Sequence, residues 1–213
     1  MGDASRKRPH VEIGRRPKRL RLVEYSRARS EIRNGDLLLM VPTTYVGRKI
    51  AWGTRSDYSH AAMAGYEPNG PDNPEPRLRA LEMLQFRGGR HKLLSEYVRQ
   101  YPKVIDVYRP VPPYDGDASV AWMLWLCGKH YGWFDFAMIV TRRGFGWVLP
   151  MPTDSPDPDL PRICSAAVAY GAHYGGGKKI HANLPDLMVF PGELATPGFS
   201  AYHLTLVPFG YKG

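Results

Sequence analysis

The sequence predicts a single domain that mixes β-strands with helices, and three observations carry the prediction. Apolar runs of strand length stand at Leu37-Leu38-Leu39-Met40-Val41, Val104-Ile105-Asp106-Val107-Tyr108 and His203-Leu204-Thr205-Leu206-Val207. Two more segments, Tyr58-Ser59-His60-Ala61-Ala62-Met63 and Ala80-Leu81-Glu82-Met83-Leu84, alternate as half-buried strands do. An Ala-rich stretch opened by Ile163-Cys164-Ser165-Ala166-Ala167 reads as a helix with its cysteine in the first turn. The chain has 213 residues, 43% hydrophobic and 12% aromatic, enough for one domain with a real core and too apolar for a disordered chain.

Taken in order, residues 1–33 hold 11 Arg and Lys against 4 Asp and Glu and show no hydrophobic periodicity. They are expected to be a flexible basic arm, leaving 34–213 as the folded domain. The turn signal Asn34-Gly35-Asp36 starts the order and feeds the buried strand at Leu37. Thr43 to Gly53 sets Tyr45, Ile50 and Trp52 at helical spacing and predicts a short helix. The Pro-, Gly- and Asn-rich stretch from Tyr66 to Pro76 predicts an exposed hairpin loop. Antiparallel pairing through that loop permits His60 and Glu82 to fall near each other on one face. His91 to Gln100 shows a helical pattern with Leu93, Leu94, Tyr97 and Val98 inward, and Asp117 or Ser119 is placed to cap a helix through Trp122 and Trp125. Trp133-Phe134-Asp135-Phe136 begins another apolar piece, and the proline-rich stretch from Pro150 to Pro161 reads as a loop delivering the chain to Cys164. Gly175-Gly176-Gly177 should end the cysteine helix, with Leu187-Met188-Val189-Phe190 and the His203 segment as closing strands.

The chemistry lies in a histidine, a carboxylate and a cysteine met in that order. Unpaired N–H groups and the positive end of a helix favour the thiolate of a first-turn cysteine. An imidazole beside it can complete the activation and protonate a leaving group, with a carboxylate orienting the ring. An oxyanion needs donors aimed at the developing charge. The Cys164 backbone N–H is the natural one, and Tyr58 and Ser165 are the expected substrate-binding residues. Cys127 sits in a tryptophan-rich run and reads as a buried apolar residue, so two free thiols are expected. The histidines are scattered singly without zinc-type spacing, and no metal or cofactor is expected.

The succession Gly35-Asp36-Leu37-Leu38-Leu39, Tyr58-Ser59-His60, Leu81-Glu82 and Cys164-Ser165 resembles the circularly permuted NlpC/P60 proteins, the YiiX and YebB-like branch of the papain-like cysteine peptidases. The resemblance runs from about residue 34 to about 207. It implies an α+β fold in which an antiparallel sheet bearing His60 and Glu82 packs against helices, one of which presents the nucleophile at its N-terminus. It further implies Cys164 as nucleophile, His60 as general base and acid, and Glu82 as the group that orients the ring. Relatives cleave amide bonds in peptidoglycan stem peptides or handle acyl groups on lipids, so both substrate classes are implied. The chain departs from the family pattern at Ala166, where an acidic residue is frequent, and at Phe134-Asp135, where a Tyr-Asp pair is frequent.

The formal net charge is +9, of which the first 33 residues supply +7. The basic character therefore belongs to the arm, which suits a partner protein or nucleic acid better than it suits the domain. No run of 18 apolar residues occurs, so no transmembrane segment is expected, and no apolar core follows the early arginines as a signal peptide would require. A protein made in the cytoplasm without a signal, with such an arm, suits a phage particle or other delivery system. A non-catalytic assembly protein that works through the arm is the alternative from another class.

Overall fold

The computed structural model describes residues 13–68, 75–84, 87–130 and 163–211. In it β1 (Leu22–Glu24), β2 (Leu37–Met40), β3 (His60–Glu67), β4 (Arg77–Leu84), β5 (Gly88–Leu93), β6 (Ile105–Pro110) and β7 (Ser200–Val207) form one sheet in the order β1-β7-β6-β2-β3-β4-β5. Every neighbouring pair is antiparallel except β1 and β7, which run parallel, so the sheet is mixed where an antiparallel one was expected. The helices are α1 (Tyr25–Ala28), α2 (Tyr45–Thr54), α3 (Leu94–Gln100), α4 (Gly116–Trp125) and α5 (Cys164–Tyr170). The architecture is α+β.

The sheet is buried on both faces. Leu37 and Leu39 of β2, Ala61 and Met63 of β3, and Leu81 and Met83 of β4 share one core with Met123 of α4 and Val168 of α5. Leu38 and Met40, Ala62 and Ala64, and Leu78 and Ala80 share the other with Leu94 and Val98 of α3 and Ala28 of α1. Double burial explains why β2 reads as a continuous apolar run, since a strand covered on both sides has no polar face to alternate with. The turn before it is held by Gly35, whose φ of +82° is the left-handed conformation that glycine adopts without a steric penalty.

Several expectations are corrected. Gly88–Leu93 is a strand, the edge of the sheet among the described residues, and the helix expected from His91 starts at Leu94. The cap of α4 is Asp115, which accepts from the Ala118 N–H at 2.9 Å, in place of Asp117 or Ser119. Leu187–Phe190 is not a strand, because 3-10 turns at Asp186–Met188 and Pro191–Ala195 occupy the region. The apolar piece from Trp133, the Pro150–Pro161 loop, and the centre of the loop between β3 and β4 lie outside the described residues.

The largest difference concerns the basic segment. From Ile13 onward it is packed onto the domain, and β1 pairs with β7. Arg16 donates to Asp106 through Nε at 2.7 Å and Nη2 at 3.0 Å, and to the Lys103 carbonyl at 2.7 Å. The Gly14 N–H donates to the Gly192 carbonyl at 2.9 Å, and a side chain at Gly14 would meet the Ala195 carbonyl at 2.3 Å. A block of like charge stays solvated only where no buried carboxylate is within reach, and Asp106 is fully buried. Residues 1–12, with Arg6-Lys7-Arg8, lie outside the described residues.

Candidate active site

The ladder between β3 and β4 covers Met63–Glu67 against Arg77–Leu81 and stops there. Beyond it, His60–Ala62 remain paired only to β2, and Glu82–Leu84 only to β5. The two strands form a fork, and the candidate site lies in that fork. Along the strands His60 has the parity of Ala62, and Glu82 that of Ala80, which is the face covered by α3. α5 covers the opposite face. The opened ladder lets a group at the start of α5 meet one on the α3 side of the sheet.

His60 Nε2 lies 2.6 Å from Glu82 Oε2, with the carboxylate fully buried. This engagement leaves Nδ1 as the ring nitrogen facing the thiol, and His60 and Cys164 are hydrogen-bonded side chain to side chain. The proximity of His60 and Glu82 that the alternation permitted is therefore present. The Glu82 carboxylate also accepts from Arg90 Nε at 2.8 Å and from the Tyr97 hydroxyl, both at Oε1, while Arg90 Nη2 donates to Tyr97 at 3.1 Å. Neither Arg90 nor Tyr97 was picked out as a site residue by sequence reasoning. The signal for Arg90 was its place directly after a double glycine, opposite Glu82 in the register.

Electrostatics follow from these contacts. Burial works to raise the Cys164 thiol, but the His60 charge and hydrogen bond, with the backbone N–H groups of Ala61 and Ser165 donating to sulfur, bring it below the ordinary thiol value. Burial likewise opposes a charged His60, yet the thiolate and the Glu82 carboxylate beside it raise its pKa to about 10. Glu82, also penalised by burial, is held at about 2 by the hydrogen bonds from His60 and Tyr97 and by the Arg90 charge. The arrangement favours a thiolate and imidazolium pair. Cys127 goes the other way: burial, then the nearby Glu67 charge, raises it to about 11. Both cysteines are free.

Two expected substrate-binding side chains are placed elsewhere. Tyr58 is fully buried, its hydroxyl donating to Asp106 Oδ2 at 2.9 Å and sharing a hydrogen bond with Tyr108 at 2.9 Å. A phenol so committed has no hydrogen to offer an oxyanion. The Ser165 hydroxyl is buried and donates to the Val189 carbonyl at 2.7 Å, so that residue reaches the site only through its backbone N–H. Immediately after α5 the helix widens into a π turn over Gly171–Gly175 and ends at Gly176-Gly177, as the glycines indicated.

No family model and no curated protein matches the chain. Among solved structures it is similar to that of the metalloprotein YiiX from Escherichia coli O157:H7, at 17% identity and a TM-score of 0.47, covering 83% of this chain and 98% of that one. Among the described residues of the present chain, no group of three or more His, Cys, Asp or Glu is placed to hold a metal ion.

Proposed function

We propose that the chain is a cysteine hydrolase of the permuted papain-like type, cleaving amide bonds through an acyl-enzyme, with peptidoglycan stem peptides as its substrate class. The observation that carries the reading is the Cys164–His60–Glu82 chain of contacts, with the thiol lowered and the carboxylate 2.6 Å from the ring. Cys164 Sγ attacks the carbonyl carbon, and the negative charge that develops on oxygen meets the backbone N–H groups at the start of α5, that of Cys164 first. The carbon–nitrogen bond then breaks, and the amine leaves with the proton from His60 Nδ1. Water attacks the thioester, His60 accepts its proton, and the acid departs as the thiolate re-forms. Glu82 does not touch substrate: it positions the ring and stabilises its charge, and Arg90 and Tyr97 hold Glu82 in turn.

A lipid ester or thioester substrate with the same triad is the second reading, favoured by one observation, the exposed aromatic face of α2 described below. Site-resolved alkylation by iodoacetamide tests the triad itself. Labelling of Cys164 should stay fast well below the ordinary thiol pKa and lose that acid reactivity in His60→Ala, while Cys127 stays slow. Equal labelling of the two cysteines, indifferent to His60, would sink the catalytic reading in favour of an assembly protein. Turnover of muropeptides against acyl esters then separates the two substrate classes.

A further inference from the structure

We infer that α2 is an interfacial helix that seats the protein on an anionic membrane surface beside the Cys164 site. Among the described residues the other large apolar side chains that are exposed, Leu22, Trp125 and Phe209, are scattered singly, which is ordinary for a protein surface. On α2 three stand together: Trp52 is 81% exposed, Tyr45 67% and Val46 54%. The helix is built to show them. Thr44 caps its start by accepting from the Gly47 N–H at 3.1 Å, and it packs on the domain through small residues, Gly47, Ala51 and Thr54. At about 100° per residue, Tyr45 and Trp52 lie nearly in line along the outer face, with Arg48 on one side and Lys49 on the other.

The charges choose the occupant. From Val41 to Arg55 there are three cations, Arg48, Lys49 and Arg55, and no carboxylate. The next acid, Asp57, is already engaged by the Arg16 N–H at 2.8 Å and by Arg15 at 3.6 Å. Protein interfaces deplete lysine from their centres, whereas here Lys49 lies over the Tyr45 ring, with Nζ 5.4 Å from its centroid. Exposed Trp and Tyr flanked by Lys and Arg match the headgroup region, where amphipathic rings sit at the boundary and cations reach lipid phosphates. No helix among the described residues is long and apolar enough to cross a membrane, so this mode lies on the surface. The position serves the site: a side chain at Gly47 would meet Ser59 Oγ at 3.1 Å, and Ser59 directly precedes His60.

The test uses the full chain carrying Cys164→Ala, so docking is read without turnover and its failure is separate from failure of the hydrolase reading. Flotation with phosphatidylcholine vesicles, with and without phosphatidylserine, should show binding to the anionic vesicles only, weakened by salt. Arg48→Glu with Lys49→Glu should reduce binding roughly tenfold or more. Brominated phosphatidylserine should quench tryptophan fluorescence, and Trp52→Phe should remove that quenching while leaving the thermal unfolding midpoint unchanged. Absence of binding would overturn the proposal, as would binding in which Trp52 is not quenched, since the basic N-terminal residues would then account for it.

Discussion

Two buried carboxylates, Glu82 in the fork and Asp106 on β6, are built from nearly the same parts and do different work. Each accepts from an arginine and from a tyrosine hydroxyl: Arg90 and Tyr97 for Glu82, Arg16 and Tyr58 for Asp106. The remaining partner separates them. At Asp106 it is the Thr205 hydroxyl at 2.6 Å, which does not titrate, and at Glu82 it is the imidazole of His60. A carboxylate satisfied by fixed donors ties strands together. One that spends an oxygen on an imidazole touching a thiol is placed, on the proposed function, to control a proton.

The comparison is most easily broken by paired amide substitutions. Glu82→Gln should lower kcat by roughly a thousandfold, because the ring loses its orienting charge, whereas Asp106→Asn should leave kcat within a few fold at temperatures where the protein is folded. Similar losses of kcat in both would abolish the distinction. Stability should reverse the order. Asp106→Asn or Arg16→Ala leaves a charge without its buried partner and should cost about 3–5 kcal/mol by denaturant unfolding, with the double variant less than additive.

A smaller effect is expected of Tyr97→Phe, which deletes one donor to a buried carboxylate: about 1–2 kcal/mol of stability and a few-fold loss in kcat, without change in KM. An unchanged kcat would reduce Tyr97 to packing.

The pH dependence sharpens the same contrast. Glu82 is lowered from 4.5 to about 2, so its stabilisation is complete above 4.5 and is lost as pH falls toward 2. His60 is raised from 6.5 to about 10, so its contribution is complete below 6.5 and is lost as pH rises through 10. Thermal unfolding against pH should therefore show an alkaline decline near 10 that His60→Ala removes and Asp106→Asn retains.

Much of the Glu82 half of this comparison was legible in the sequence. Alternation placed His60 and Glu82 on strands, and an Ala-rich run after Cys164 marked its helix, because those signals are local. The supporting half was not. Among the described residues β5 is an edge strand, where charged residues replace the alternating apolar ones, so Gly89-Arg90-His91-Lys92 carried no strand pattern and Arg90 went unnoticed. Arg16 stands among other cations, and nothing local distinguishes the one whose partner lies 90 residues further along. Tyr58 looked available beside His60 because its neighbours in sequence say nothing of Asp106, which folding brings beneath it.

The parallel pairing of β1 with β7 has a consequence in time. Among the described residues Leu22–Glu24 has a single neighbour in the sheet, Ser200–Val207, and the two lie far apart along the chain, Leu22 being paired with Thr205. A nascent chain emerging from the ribosome holds Leu22–Glu24 without that mate until Ser200–Val207 has been made. His60 and Glu82 likewise wait for Cys164. Contacts so distant along the chain make closure a late and comparatively slow event. Translation thereby imposes a delay during which the growing polypeptide cannot bring His60 and Glu82 to Cys164.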